Sequence, residues 1–338
     1  MKVRKEAVIL AVIIIGLSLY LILNKRDRNL YEVPELAPIP VAEISKLRFA
    51  SAGDTIVMTR KAGNWVINDA AYPGDANKIK RVSELVANLK LATLISESKA
   101  YQRYELDDAH KIAVQVWQSG KLVREFDVGK TASSHRHTFV KLADDPRIYH
   151  AHENLRSQLA GDTDAFRDKR VMSFEKEQIK GVHIQKDDQQ LTFKKEIKEA
   201  AEEDASTQSQ QSGHEQEKYH WKDAEGNLAD ANKIDRLIKD LSDLKCQRYI
   251  DDKTKSDLSN PMVTLTLEGS ETYALSLFDK SDEDSDYPAI SSQSDYPFLL
   301  SGWRADQVVK FMDEIQTNDK EPETSESDDG TDLDIPKN

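Results

Sequence analysis

Four of the chain's eight histidines lie close together: His135, His137, His150 and His152. If Asp144-Asp145 makes a hairpin turn, His137 stands opposite His152 and Phe139 opposite His150, with His135 one pleat farther along. Side chains two residues apart share a strand face, so all four imidazoles can line one face of a sheet. Such a set of nitrogens suits zinc, copper or nickel. No Asp or Glu is clearly paired with these rings to orient them as a ligand set requires. A solvated, polar sheet face is therefore the favoured reading. No metal is assigned, and the four histidines stand as candidates only.

Other signals of chemistry fail on closer reading. Gly129-Lys130-Thr131 has the end of a phosphate-binding loop, which needs another glycine five residues earlier and a helix afterwards. Arg124 stands at the first place, and Ala132-Ser133-Ser134-His135 reads as a loop. Asp282-Glu283-Asp284-Ser285-Asp286 alternates acids like a calcium loop, without the turn glycine or the closing bidentate glutamate. Cys246 is the sole cysteine, which excludes an intrachain disulfide and a thiolate cluster. It follows an apolar helix face by two residues and reads as packed. No Gly-x-Ser-x-Gly occurs, and the tryptophans at 65, 117, 221 and 303 read as core or hairpin residues rather than a ligand cage. No catalytic residue and no cofactor are assigned, and a non-enzyme is expected.

The elements that position these residues come in two copies. Asp75-Ala76-Asn77-Lys78-Ile79 recurs as Asp230-Ala231-Asn232-Lys233-Ile234, with Trp65 and Trp221 upstream and Leu89-Lys90 matching Leu244-Lys245 downstream. Each copy opens an amphipathic helix, with Ile79, Val82, Leu85, Val86 and Leu89 on one face and Ile234, Leu237, Ile238, Leu241 and Leu244 on the other copy's face. Asp75 and Asp230 stand at the N-cap. Alternating segments before and after each helix read as strands joined by short loops, hence antiparallel. The expected fold class is α+β: two tandem antiparallel-sheet modules, 44–172 and 175–316, each with a packed amphipathic helix. Short helices close the copies near Glu153–Leu159 and Ala305–Ile315.

Composition places the chain. Its 338 residues carry 47 Lys+Arg against 60 Asp+Glu, a net charge of −13, which argues against nucleic acid as a partner. The acidity is concentrated in 196–217, an insertion within the second module, and in the tail 317–338; both read as disordered. Ala7 to Leu23 is uncharged and long enough to cross a bilayer as one helix. Lys2, Arg4 and Lys5 precede it in a stub, 1–6, and no small-x-small cleavage site follows. A single-pass anchor is therefore expected, followed by a proline-containing spacer, 24–43. The short N-terminal stub argues for the N-terminus inside.

The first module resembles the domain of unknown function 4340 family. The residues that carry the likeness are Gly63-Asn64-Trp65-Val66-Ile67, Tyr72-Pro73-Gly74-Asp75-Ala76, Tyr104-Glu105-Leu106-Asp107-Asp108, Phe126-Asp127-Val128-Gly129-Lys130, Phe139-Val140 with Ile148-Tyr149, and Phe166-Arg167-Asp168-Lys169. Ala109 stands where the family often has proline and Phe166 where it often has tryptophan. The second module fits more loosely, through Leu258-Ser259-Asn260-Pro261 and Leu277-Phe278-Asp279-Lys280. The resemblance implies a bacterial inner-membrane protein with its modules in the periplasm or outside. It also implies a genetic neighbourhood shared with an ABC-type transport system related to gliding-motility exporters, and so partner proteins of such a transporter. It carries over no catalytic residue. The expected role is an accessory or scaffold subunit; the alternative is a tethered small-ligand or metal-binding module using the His135/His137/His150/His152 face.

Overall fold

The computed structural model of the chain describes residues 13–20, 32–198, 219–280 and 286–316. Residues 13–20 are helical (α1). The rest of the apolar stretch Ala7 to Leu23, most of the acidic insertion, the acidic loop at 281–285 and the tail from 317 onward lie outside the described residues. Among the described residues no helix is long and apolar enough to cross a membrane. The remainder is α+β and divides into two compact units between Asp168 and Lys169.

The first unit is built on β1 (Ile44–Ala50), β2 (Thr55–Lys61), β3 (Asn64–Ile67), β4 (Tyr72–Pro73), β5 (Leu91–Ser96), β6 (Ile112–Gln118), β7 (Lys121–Thr131), β8 (His137–Leu142) and β9 (Ile148–His152). They form one antiparallel sheet in the order β4-β3-β2-β1-β6-β7-β8-β9-β5. Helix α2 (Ala76–Ala87) joins the two edge strands, and α3 (Leu155–Leu159) follows β9. Helix α2 buries Ile79, Val82 and Val86 as the periodicity requires, together with Ser83, whose hydroxyl donates back to the Ile79 carbonyl at 2.6 Å. Leu85, expected on that face, is only half-buried, and Leu89 is buried beyond the helix end.

The second unit repeats the plan with β10 (Arg170–Ser173), β11 (Gly181–Lys186), β12 (Gln189–Ile197), β13 (Tyr219–Lys222), β14 (Leu228–Ala229), α4 (Ala231–Leu241), β15 (Asp243–Lys245), β16 (Arg248–Tyr249), β17 (Val263–Glu268), β18 (Thr272–Leu277), β19 (Tyr287–Ser291), β20 (Phe298–Leu300) and α5 (Gly302–Gln316). The large sheet has the order β14-β13-β12-β11-β17-β18-β19-β20-β16, strand for strand that of the first unit. A small extra sheet pairs β10 with β15. Arg170–Ser173 therefore belongs to the second unit, ahead of the limit drawn from sequence. Leu244, read as the last apolar position of the helix, is a buried strand residue, since α4 ends at Leu241.

The recurring pentapeptide has the same duties in both copies. Asp75 caps α2 by accepting from the Lys78 amide at 2.9 Å, and Asp230 caps α4 by accepting from the Asn232 and Lys233 amides. Lys78 Nζ donates to the Ala165 carbonyl and Lys233 Nζ to the Glu314 carbonyl, each at 2.8 Å, so each clasps its unit's closing segment to its helix. Ile79 and Ile234 are fully buried. Upstream, Trp65 is paired with Arg60 and Trp221 with Lys195 across equivalent strands, each cation lying over the indole. The duplication preserves a set of contacts as well as a pattern of hydrophobicity.

Part of the segment read as a spacer is fastened to the first unit. Ile39 is buried, and its amide donates to the Ala87 carbonyl. Buried Arg124 donates to the carbonyls of Val86 at 2.7 Å, Ala87 at 2.8 Å and Ala37. It thus ties the C-terminal end of α2, β7 and the incoming chain together, a cation at the negative end of a helix dipole.

Candidate functional site

The turn at Asp144-Asp145 sets β8 against β9 in the expected register, His137 facing His152 and Phe139 facing His150. The carboxylate of Asp145 holds that turn. It accepts from Arg147 Nε at 2.9 Å and from the Tyr149 hydroxyl at 2.7 Å. The Arg147 guanidinium keeps the Asp145 carboxyl well below the ordinary carboxylate range, while burial pushes the Tyr149 hydroxyl up to about 12.

Five rings run in file across this part of the sheet. Ring centroids are 4.8 Å apart for Tyr104–Phe139, 4.6 Å for Phe139–His150, 5.3 Å for His137–His150 and 5.6 Å for His137–His152. The two central imidazoles are stacked, at 21°. His137 Nδ1 lies 3.3 Å from the Ser134 hydroxyl, whereas His150 Nε2 is buried with no hydrogen-bond partner. Burial, then the neighbouring His137, pulls the His150 pKa below its ordinary value. His135 stands apart from the file. It occupies the β7–β8 loop, exposed and at φ +56°, because the chain turns there rather than extending β8. Three of the four candidate histidines are thus brought together. Among the described residues, no group of three or more His, Cys, Asp or Glu side chains is arranged to hold a metal ion.

The residues that carry the family resemblance are spent on the fold, some beside this face and some at the opposite edge of the sheet. Gly129 lies so close to the segment above it that a Cβ there would sit 2.2 Å from the Tyr104 carbonyl oxygen. Leu106 packs on the same spot, and Lys111 and Lys141 converge on Asp127, at 3.5 and 2.9 Å. Asp107 accepts from His110 at 2.7 Å, a bond that lowers its carboxyl pKa. At the far end of the unit, the Asp75 amide donates to Phe166 and the Asp168 amide to Pro73, while Arg167 lies 3.8 Å over the Tyr72 ring. Gly129-Lys130-Thr131 ends a strand and opens no helix, as the sequence argument required.

Sequence reading missed two parts of the site. Strand β5 closes the sheet beyond β9, setting Thr93 opposite His150; the uncharged run Leu91-Ala-Thr-Leu-Ile-Ser was its signal. The other is an open cleft of about 570 Å³ beside His152, lined by Arg81, Glu84, Asn88, Lys90, Asn154 and Gln158 among others. Cys246 is buried, as read from its place after the helix, and lies just past β15; of the four tryptophans Trp303 stands out as 68 % exposed.

A family model described as "Domain of unknown function (DUF4340)" matches residues 65–261. No curated protein and no solved structure matches the chain.

Proposed function

We propose, for a chain that belongs to the DUF4340 family, the role of a membrane-anchored, non-enzymatic envelope protein acting as an accessory or scaffold subunit of an ABC-type transport assembly. The observation that carries this reading is where the family's motif residues go. Asp75, Asp107-Asp108, Asp127, Gly129 and Phe166-Arg167 are engaged in a helix cap, ion pairs, a close backbone approach and ring contacts within one sheet plan, and that plan occurs twice. A family that spends its motifs on shape presents surfaces, and shared surfaces suit protein partners. Ala7 to Leu23 supplies the anchor, with the N-terminus inside and both units outside the inner membrane. The test is a mild-detergent pull-down of the tagged full chain, identified by mass spectrometry. Co-purification of transporter subunits supports the role, and purification of the chain alone under several gentle conditions overturns it.

A second reading rests on the file of rings. The unpartnered Nε2 of His150, stacked against His137 and followed by His152, suits a tethered module that takes a small ligand or metal ion at this face. Titration of zinc or copper into the purified chain tests it; no saturable binding disposes of it.

A further inference from the structure

The first unit leaves two large apolar side chains uncovered, and they are neighbours. Apart from the apolar run near the N-terminus, Leu122 (41 % exposed) and Val123 (38 %) are its only exposed large hydrophobic residues among those described. Both stand at the tip of the β6–β7 hairpin. Ser119 and Gly120, at φ +50° and +81°, make the tight turn that a two-residue hairpin needs. Leu122 faces Trp117 across the hairpin, and Val123 is the extra residue where β7 sets two residues against one of β6. Such a bulge re-aims a side chain, and it takes Val123 out of the alternation that buries Arg124 and Phe126. The charges nearby are mixed. Lys46 lies over the Trp117 ring and Lys121 is exposed, while Glu43 accepts from Gln118 and Glu125 from Gln115. The tip therefore offers apolar area and no net charge. Aliphatic side chains beside a tryptophan and lysines have the composition of a contact with a membrane interface.

The same hairpin is where the incoming chain is fastened. Arg124 donates to the Ala37 carbonyl and Gln118 to the Glu43 carboxylate. Ser45 Oγ donates to the Trp117 carbonyl at 3.3 Å and accepts from the Gly120 amide at 3.2 Å. These bonds shorten the tether. From Leu23, where the apolar run ends, to Glu32 is nine residues, a reach of at most about 32 Å. A unit of this size is about 37 Å across. The first unit thus hangs close to whatever holds Leu23, from the side that bears the tip. We propose, resting on the anchored reading above, that the β6–β7 tip dips Leu122 and Val123 into the interface of the bilayer that holds the chain's own apolar run. The first unit then stands on the membrane at two points, the anchor and the hairpin, with the β1–β2 turn pointing away.

The experiment places an environment-sensitive fluorophore on the full-length chain in phosphatidylcholine vesicles. Leu122→Cys and Val123→Cys carry it at the tip. Ala52→Cys, exposed in the β1–β2 turn at the other end of the strands, is the reference. The parent, whose sole cysteine Cys246 is buried, is the labelling blank. Labels at positions 122 and 123 are expected to emit to the blue of the label at 52 and to be quenched by lipids brominated high on the acyl chain. The shift should persist when anionic lipid is added, because the tip carries no net charge. A label on Lys121→Cys should lose its shift when Leu122→Asp/Val123→Asp is added, while the chain stays with the vesicles. An alkaline wash separates the two readings. A chain that leaves the vesicles overturns the anchor and this proposal with it. A chain that stays, with the label at 122 matching that at 52, overturns this proposal alone. A shift that grows with protein density assigns the tip to a second copy, and one that needs a co-purified protein assigns it to that partner; either result overturns the contact with lipid.

Discussion

Replacing Arg124 by Met tests whether one buried cation fastens the incoming chain to the first unit. Methionine keeps most of the apolar stem and removes the guanidinium. The Ala87 carbonyl retains a donor, the Ile39 amide at 3.1 Å, but those of Val86 and Ala37 lose theirs. Ala37 is exposed, so water can replace the donor there, whereas the Val86 carbonyl stranded in a buried site costs about 1–3 kcal/mol. Against this, Arg124 is itself desolvated, which lowers its pKa, and removing a buried cation recovers part of the loss. The expected balance is a destabilisation of about 1–3 kcal/mol, a sizeable share of the ~5–15 kcal/mol that holds a domain together. Arg124→Lys, a point donor without the guanidinium fork, should fall between. Hydrogen exchange read by mass spectrometry is the suitable assay, because peptides of the second unit serve as an internal reference. Protection should drop in 37–50 and 76–90 and hold in 169–198. If Arg124→Met leaves protection in the first unit within about 0.5 kcal/mol of the parent, the size of an ordinary surface substitution, the clamp is not an energetic feature.

Other outcomes follow from contacts described above. Gly129→Ala should destabilise the first unit by about 2–3 kcal/mol in urea unfolding, since the Tyr104 carbonyl is backbone and cannot swing away from the added methyl. Lys78→Met and Lys233→Met should each cost about 0.5–1.5 kcal/mol in their own unit and add in the double variant; strong non-additivity in melting would contradict two independent clasps. Because the folded pKa of His150 lies below the ordinary value of about 6.5, the unfolded chain binds the proton first, so stability should fall as pH drops from about 6.5. Asp145 acts at lower pH: its depressed carboxyl contributes stability that is present above about 3.9 and lost as pH falls further. His150→Asn should flatten the first stage of a melting-temperature profile and leave the second.

Much of this architecture was legible because the duplication supplied two readings of each element. The N-caps, both helices and the β8–β9 register follow from local rules: an Asp before an apolar period, and a two-acid turn between alternating strands. What escaped was set by partners far away in sequence. Strand β5 exists because β9 offers it an edge, and β10 because β15 does; neither run has a local periodicity that demands a strand. His135 escaped for the opposite reason, a left-handed residue in the loop where alternation predicted one more pleat. The file of rings was half visible: the imidazoles by their spacing, but not Tyr104, which the close approach at Gly129 brings into line.

The position of β5 in the sheet also sets a timetable. It follows α2 in the chain but pairs with β9, the last strand of the meander, and β16 stands in the same relation to β20. During synthesis β5 must wait for a partner made roughly fifty residues later, about 3–10 s at ribosomal rates. For that interval an uncharged strand, Leu91–Ser96, has no neighbour, whereas its counterpart Arg248–Tyr249 is two residues long and charged. The first unit is therefore the one at risk before it is complete. A holdase or a neighbouring nascent chain would meet it at β5, and closure of the β9–β5 edge is the step that ends the exposure.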